Sequence, residues 1–577
     1  MKQQELAARF HRMADLLDYC GENPFRVRAY RRAAQNLLSF SGDLEALAAA
    51  GRLTEISGIG RDLAQKIAEF LKTGRIAALA RLERGVPKGV LELVTVPGVG
   101  PKTARILCER LRITTLRELE TALRQHRLLA LPGFQATKEA NILKGLEIVK
   151  RGRARMHQGI ALPLASALIR FLERVPGVTR VSAAGSLRRM RETIGDLDLL
   201  AAAERPPRIT AAFCASPFAA RVLARGDTKA SILTRDDLQV DLRVVPAESF
   251  GAALQYFTGS KEHNVRLREL AVRKGLKVNE YGVFRVKTNA RLAGREEEDV
   301  YQALGLPWIP PELREDRGEI EAGKASRLPR LVEARDIQGD FHIHSTWSDG
   351  SDRLDAMAQA GKARGYEYLA MCDHSQSLKI AHGMTLARLR RQLMEIDAMN
   401  ARSTGFRVLK GAEVDILPDG RLDYPDAVLA QLDFVVGSVH TRFAQSQELM
   451  TRRIIAAMRN PYVTLIAHPT GRLLGRRDPY RIDLEAVCRA AAGTRTALEI
   501  NASPERLDLC DTAAARAREL GVMLAISTDA HSRGELGDML NGLALARRAW
   551  LEPRHVLNCL SLAKLLAWIA AKRRRAG

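Results

Sequence analysis

The stretch Val181-Ser-Ala-Ala-Gly185-Ser186-Leu-Arg188-Arg189-Met-Arg-Glu-Thr-Ile-Gly195-Asp196-Leu-Asp198-Leu-Leu200 joins a small-residue turn to an alternating run of acid and leucine. Residues two apart on a strand share a face, so Asp196 and Asp198 point together while Leu197 and Leu199 face a core. A second alternating run, Gln239-Val-Asp241-Leu-Arg243-Val-Val245, sets Asp241 opposite its apolar neighbours. Three carboxylates converging from adjacent strands suit two Mg²⁺ or Mn²⁺ ions, which clamp the attacking and leaving oxygens of an in-line phosphoryl displacement. Gly185-Ser186, ahead of a helix, would cradle a triphosphate, with Arg188 or Arg189 neutralising it. An Asp-x-Asp alone is common on surfaces; the Gly-Ser turn, the leucine frame and a third strand-borne Asp make this one specific.

Downstream stands Tyr256-Phe257-Thr258-Gly259-Ser260-Lys261, with Asn264 and Arg268 one and two turns into the next helix and a strand expected over 279–285. The Gly-Ser and Asp pattern is that of the nucleotidyltransferase superfamily, and the second block strongly resembles the thumb of family X DNA polymerases. That resemblance implies that Tyr256 and Phe257, with Gly259 and Ser260, shape the sugar pocket and exclude a 2′-hydroxyl. It puts Asn264 at the minor-groove edge of the nucleotide and Arg268 on the template. Lys261 departs from the acidic residue familiar in animal members and would add attraction for the incoming nucleotide.

After a charge-dense segment, 312–336, seven short apolar runs alternate with helical stretches: Asp340–Ser345, Tyr368–Ser375, Val408–Ile416, Phe434–His440, Val463–His468, Ala497–Asn501 and Met523–His531. Strand–helix alternation implies parallel βα units, and seven in succession could close as a barrel. Polar residues fall at the C-terminal ends of the runs, where barrel active sites lie. They are His342, His344, Asp349, His374, Glu413, His440, His468, Asp529 and His531, a set holding six of the chain's 12 histidines. Imidazole with carboxylate suits Zn²⁺, Mn²⁺ or Fe, and the lack of cysteine ligands disfavours a structural zinc. The motifs HIHSTWSDG, CDHS, GAEVDI, SVH, AHP and STDAH resemble the PHP phosphoesterase domain in order and type. By that resemblance one ion takes His342, His344, Glu413 and Asp529. A second takes Glu413, His440 and His468, and a third Asp349, His374 and His531, with Mn²⁺ or Zn²⁺ as the expected metals. Asp349 stands where stand-alone PHP enzymes often have His, which makes the third site harder.

The front of the chain reads as helices: Gln4–Asp18, Pro24–Phe40, Asp43–Ala50 and Arg61–Lys72, then more over 86–150. A pattern recurs there as Ile56-Ser-Gly58-Ile-Gly60, Val96-Pro-Gly98-Val-Gly100 and Leu131-Pro-Gly-Phe-Gln135, each opening a helix with a basic residue, Lys66, Lys102 or Lys138. Glycines at a helix N-terminus leave N–H groups for an anion, and three tandem copies on a basic chain suggest sequence-independent contact with a nucleic-acid backbone. The repeat resembles the helix–hairpin–helix motif of DNA repair enzymes, and the first segment resembles the small lyase domain of family X polymerases. That resemblance puts a Schiff-base lysine at Lys66 and a phosphate pocket at Arg26, Arg28 and Arg31. Independently, a lysine beside a phosphate-binding turn and several cations is favoured as an amine nucleophile.

The whole chain has 577 residues, 90 Lys plus Arg against 67 Asp plus Glu, a net charge of +23 and 46% hydrophobic residues. That excludes wholesale disorder, implies several domains and points to a polyanionic partner. No apolar run reaches a membrane span, no apolar leader opens the chain, and seven cysteines without a CxxC pair suggest free thiols; a cytoplasmic, nucleoid-associated protein is expected. The expected architecture is multidomain α+β and α/β: a lyase-like helical domain (1–85), helix–hairpin–helix fingers (86–155), a nucleotidyltransferase palm (156–247), a thumb (248–314), a linker (315–336) and a (β/α)7-type PHP barrel (337–577). End to end this order resembles the bacterial PolX polymerases. The resemblance implies a monomer that fills gaps in DNA with dNTPs, a barrel that removes 3′ nucleotides or incises abasic sites, and a lyase step. Two other classes stay open at this point: a small-molecule phosphatase in the barrel, and a DNA-binding scaffold. Lys572-Arg-Arg-Arg575 reads as a DNA contact or a solvated tail.

Overall fold

The computed structural model describes residues 2–39, 44–56, 58–87, 89–94, 96, 98–131, 133–150, 155–474 and 477–575. The chain forms two compact units, Met1–Ala154 and Arg155–Gly577. The first is helical. Its three repeats share one backbone device: Gly58, Gly98 and Gly133 take φ of +75°, +90° and +77°, a region open to glycine at little cost. In each repeat an apolar amide closes a tight turn, Ile59 onto Ile56, Val99 onto Val96 and Phe134 onto Leu131. The helices Arg61–Thr73 and Pro101–Leu111 start at Gly60 and Gly100, and the first ends at Gly74 with φ +69°. Asp43, the expected start of the third helix, lies outside the described residues, which pick that helix up as Leu44–Ala49.

The second unit opens with a two-stranded pair, β1 (Met156–His157) and β3 (Thr193–Ile194). Its palm is a five-stranded sheet of β2 (Val178–Ala183), β4 (Asp196–Ala203), β5 (Arg221–Arg225), β6 (Lys229–Leu233) and β7 (Gln239–Val245), ordered β2-β4-β7-β6-β5. Only β4 and β7 run parallel, and their register sets Asp198 directly beside Asp241. A three-stranded sheet follows: β8 (Leu276–Asn279), β9 (Gly282–Arg285) and β10 (Arg291–Ala293). The single strand expected over 279–285 is therefore a hairpin turn leading into β9, because Gly282 takes φ +154° and no side chain fits against Ala293 there.

The stretch expected as a linker is packed. Glu315, Glu319 and Ile320 are buried, and Glu319 receives the Arg317 amide and the ring of His263. Charge density reads as solvation in a sequence, yet these charges meet partners more than fifty residues away.

Seven parallel strands then pair in chain order: β11 (Gly339–Ile343), β12 (Tyr368–Met371), β13 (Arg407–Asp415), β14 (Phe434–Ser438), β15 (Val463–Ile466), β16 (Ala497–Asn501) and β17 (Leu524–Ser527). A bridge between Ile343 and Ala530 nearly closes the ring. Phe341 of β11 stacks on Phe434 of β14 with centroids 4.7 Å apart, a contact that non-neighbouring strands make only across a barrel interior. The final helix, Leu562–Arg575, adds Leu565, Trp568 and Ile569 to that core. Lys572 is neither DNA contact nor solvated tail: its buried ammonium donates to Met458 O, Thr494 O and Thr496 Oγ1, and burial pulls it down to about 8. Arg573 caps Leu432 O at 2.6 Å, while the side chain of Arg575 lies outside the described residues.

Candidate active sites

The barrel centre is built at the strand ends. His342 and His344 leave β11, Asp349 follows on its loop, and His374 follows β12. Glu413 lies in β13, His440 and His468 follow β14 and β15, and Asp529 and His531 follow β17. Glu413 is the hub. Its Oε1 faces His440 Nε2 at 3.3 Å and His468 Nε2 at 3.1 Å; its Oε2 faces His342 Nε2 at 3.3 Å, His344 Nε2 at 3.7 Å and His374 Nδ1 at 2.7 Å. Asp529 Oδ1 stands 3.2 Å from His344 Nε2 and 3.6 Å from His342 Nε2. Asp349 reaches His531 at 3.4 Å and His374 at 3.6 Å.

Among the described residues, donor atoms within 4.8 Å of one another form three groups: His342, His344 and Asp529; His374, Glu413 and His440; and His344, Asp349, His374 and His531. All nine expected residues meet at one end of the barrel. The groups overlap more than expected, since His344 and His374 each turn one nitrogen toward Asp349 and the other toward Asp529 or Glu413.

These residues suit cations. His342 Nε2, both nitrogens of His344, His374 Nδ1 and Glu413 Oε2 are buried without a hydrogen bond, a costly arrangement that a metal ion would relieve. Burial opposes charge throughout, and the local balance decides each group. Burial and the neighbouring His374, His531 and His342 push His344 down to about 3, leaving a neutral ligand. At His374 burial is outweighed by Glu413 and Asp349, which raise it to about 10; Glu413 and Asp415 raise His440 to about 9. Burial likewise fails to lift Glu413, which His374, His342 and His440 hold well below the carboxylate range.

A surrounding layer escapes the sequence reading. Glu499 binds His342 Nδ1 at 2.8 Å and the His468 amide at 2.6 Å, and Asp415 binds His440 Nδ1 at 2.6 Å. Such partners fix which ring nitrogen faces the centre. Asn501 donates to Glu499 and Asp529, and Arg506 pairs with Asp529 at 3.2 Å. His468 and Asp529 carry φ of +30° and +55°, strained positions held by this network. Asp415 lies two residues after Glu413 and Asn501 two after Glu499, so strand alternation carried a usable signal for both.

In the palm, Leu197 and Leu199 are buried while Asp196 and Asp198 turn outward, as alternation requires. Asp241 accepts from Gln239 Nε2 at 3.1 Å and pairs with Lys229 at 3.3 Å. Burial, then Asp196, then Asp241 raise Asp198 to about 7, crowding that a divalent cation would relieve. Gly185, at φ +59°, admits no side chain: a Cβ would lie 2.0 Å from Asp198 Oδ2. Ser186 belongs to the short helix Gly185–Arg188.

The two arginines part company. Arg188 pairs with both oxygens of Glu297, at 2.7 and 2.8 Å, and with Thr258 Oγ1, so this guanidinium ties palm to thumb. Arg189 reaches Glu315 and the Thr258 carbonyl beside Gly259. Tyr256 and Phe257 meet edge to face at 5.2 Å, Ser260 caps the helix Lys261–Arg273, and Asn264 bonds Gln255 and the Tyr256 carbonyl. Lys261 and Arg268 are exposed.

In the front unit, Gly58, Gly60, Gly98, Gly100 and Lys102 are exposed along the repeat turns. Lys66 pairs with Asp62 and lies 6.0 Å from the Tyr30 ring. Arg26 pairs with Glu22, Arg28 covers Phe25, and Arg31 is shared by Asp15 and Asp18.

Family comparisons match a helix-hairpin-helix domain over 1–76, a SAM-like helix-hairpin-helix tandem over 90–147, a DNA polymerase beta thumb over 253–315 and a PHP domain over 340–503. A protein of Bacillus subtilis (strain 168) described as DNA polymerase/3′-5′ exonuclease PolX is 40% identical over 571 residues, 99% of each chain. A probable phosphatase of Thermoanaerobacter sp. (strain X514) is 29% identical over 250 residues, 41% of this chain and 96% of its own. No helix among the described residues is long and apolar enough to cross a membrane.

Proposed function

Because the chain belongs to the PolX family, we propose that it is a DNA-directed DNA polymerase filling short gaps during repair, with a 3′-5′ exonuclease in its barrel. The observation that carries this reading is two separate donor sets on one chain: three palm carboxylates on neighbouring strands, and nine barrel residues around Glu413.

Asp196, Asp198 and Asp241 would hold two Mg²⁺ or Mn²⁺ ions, and the barrel set up to three Mn²⁺ or Zn²⁺ ions. Bound there, such ions neutralise charge on phosphate oxygens and lower the cost of deprotonating water. The chain's own groups do the rest. Arg189, beside the Gly259-Ser260 turn, would meet the triphosphate of a dNTP, and Tyr256 and Phe257 would wall the sugar. Asn264 would approach the base edge and Arg268 the template. In the barrel, Glu499 and Asp415 hold the imidazoles of His342 and His440 in register, and Arg506 adds positive charge beside Asp529. The repeat glycines and Lys102 would follow the DNA backbone without reading sequence. Incision at abasic sites would use the same barrel centre, and the protein would act as a cytoplasmic monomer.

The wild-type chain should extend a labelled primer across a one-nucleotide gap with dNTP and Mg²⁺ or Mn²⁺. Without dNTP it should shorten the 3′ end. On p-nitrophenyl phosphate the barrel should be slower by roughly a hundredfold or more, because a small ester forgoes the binding energy of the DNA strand. Rapid phosphomonoester turnover without 3′ shortening would instead make the barrel a small-molecule phosphatase.

Lyase chemistry at Lys66 is a separate proposal resting on resemblance. Its amine would condense with the aldehyde of a 5′-deoxyribose phosphate, losing water to form a Schiff base. Borohydride should trap wild-type protein on such DNA and fail to trap Lys66→Ala. Equal trapping of the variant would remove Lys66 from this role.

A further inference from the structure

The loop carrying Arg189 is gripped at two points by the barrel, at the Arg189 carbonyl and at Glu192. Arg189 Nε donates to Glu315 Oε1 at 3.1 Å and Nη1 to the Thr258 carbonyl at 2.5 Å, which sets the guanidinium against Gly259. Glu315 is in turn gripped by Arg548, from the helix Met539–Arg548 that follows β17. Arg548 Nη1 donates to Glu315 Oε1 at 2.9 Å and to the backbone carbonyl of Arg189 at 2.6 Å; its Nη2 donates to Asp511 Oδ2 at 2.7 Å. Arg191 reaches the other oxygen of Glu315 at 3.4 Å, and Arg317 reaches Asp511 at 3.1 Å. Three residues beyond Arg189, Glu192 is taken by Arg472 from the loop after His468, at 2.7 Å.

Two physical points give this cluster a consequence. A buried ion pair seldom stabilises a fold more than well-packed apolar residues would, so a 2% exposed arginine bridging two carboxylates and a carbonyl acts chiefly by fixing geometry. Glu315 is also shared by Arg189, Arg191 and Arg548, and Asp511 by Arg317 and Arg548, so Glu315 divides its charge among three guanidinium groups. With Arg548 drawing on Glu315, Arg189 is oriented by that carboxylate without being fully neutralised by it.

We propose that Arg548, a residue of the barrel domain, is a positioning residue for nucleotidyl transfer in the palm. It fixes Glu315 and the Arg189 carbonyl so that the Arg189 guanidinium stands preset for the triphosphate of the incoming nucleotide. This rests on the reading of Arg189 as the triphosphate partner.

The test uses the full chain, with dNTP varied in steady-state primer extension and 3′ shortening measured on the same preparations. Arg548→Met should raise the KM for dNTP about tenfold, the loss of one charge-assisted hydrogen bond. Its kcat and its 3′ shortening rate should each stay within about twofold of wild type, as expected when an interaction made equally with the bound nucleotide and in the transition state is lost. Arg548→Lys keeps the charge but cannot span both carboxylates, and should fall between. Arg189→Ala should raise KM by itself, and adding Arg548→Met to it should cost little more, because the two act through one guanidinium. The inference is overturned if KM is unmoved in Arg548→Met, if extension and shortening fall by a common factor, or if the two substitutions multiply. An unchanged KM in Arg189→Ala would overturn the triphosphate reading instead. Should Arg548→Met not fold, the Arg548→Lys comparison decides.

Discussion

Asp196→Asn with Asp198→Asn should abolish primer extension and leave 3′ shortening at the wild-type rate. Asparagine keeps the shape of each side chain but removes the charges that would hold the cations. Those ions account for several kcal/mol of transition-state stabilisation, so extension should fall by roughly a thousandfold or more. Loss of fold is not expected to contribute. Asp198 is raised to about 7 by burial, Asp196 and Asp241. A carboxyl whose folded value lies above its unfolded value costs stability as pH rises from about 4 to about 7, and that cost persists above this range. Without added metal, the doubly substituted chain should therefore melt no lower than wild type at neutral pH. A marked drop in melting temperature would show that Asp196 and Asp198 brace the sheet, and preserved extension would remove them from the chemistry.

Glu413→Gln should have the converse outcome, with 3′ shortening falling by roughly a thousandfold or more and extension intact. One carboxylate here faces five imidazoles. The neutral amide would hold cations poorly, and among the described residues no other carboxylate pairs with both His440 and His342. The stability effect has the opposite sign from the palm. In metal-stripped protein, burial would drive protons off His374 and His440, but Glu413 and the nearby aspartates hold them at about 10 and about 9. These folded values lie above the unfolded value of about 6.5. The stabilisation is therefore complete below about pH 6.5 and lost as pH rises through about 9 to 10. Metal-stripped Glu413→Gln should melt below metal-stripped wild type at pH 6, with the gap closing by pH 10. A gap that widens with pH would contradict this account of the barrel.

Much of this architecture was legible in the residues because strands and barrels write their geometry with short periods. Alternation grouped Asp196, Asp198 and Asp241, and the rule that barrel chemistry sits at strand ends gathered nine candidate residues from six of the seven runs and the loop after the first. The same rules failed where a polar residue serves another polar residue. Glu499 sits on a strand like an ordinary core-facing position, and its contact with His342 reveals its role; Asp415 shares a strand face with Glu413, but its bond to His440 is what shows its use. Long-range pairing was the second blind spot. Glu315 lies in a run of charge that reads as solvated, yet its partner Arg548 is more than two hundred residues away. Arg188 and Arg189 are indistinguishable in sequence; Glu297 claims the first and leaves the second beside Gly259. Lys572 looks like part of a basic tail, although three oxygens at the barrel's base accept hydrogen bonds from it.

The central claim is that one chain carries two chemically independent centres, one built on the palm aspartates and one on Glu413. One labelled primer in a gapped duplex, incubated with and without dNTP, tests it most directly when wild type, the Asp196/Asp198 double substitution and Glu413→Gln are run side by side. The account predicts a crossed pattern: the palm variant shortens but does not extend, and the barrel variant extends but does not shorten. Loss of both activities in either variant, or 3′ shortening that survives Glu413→Gln, would contradict it.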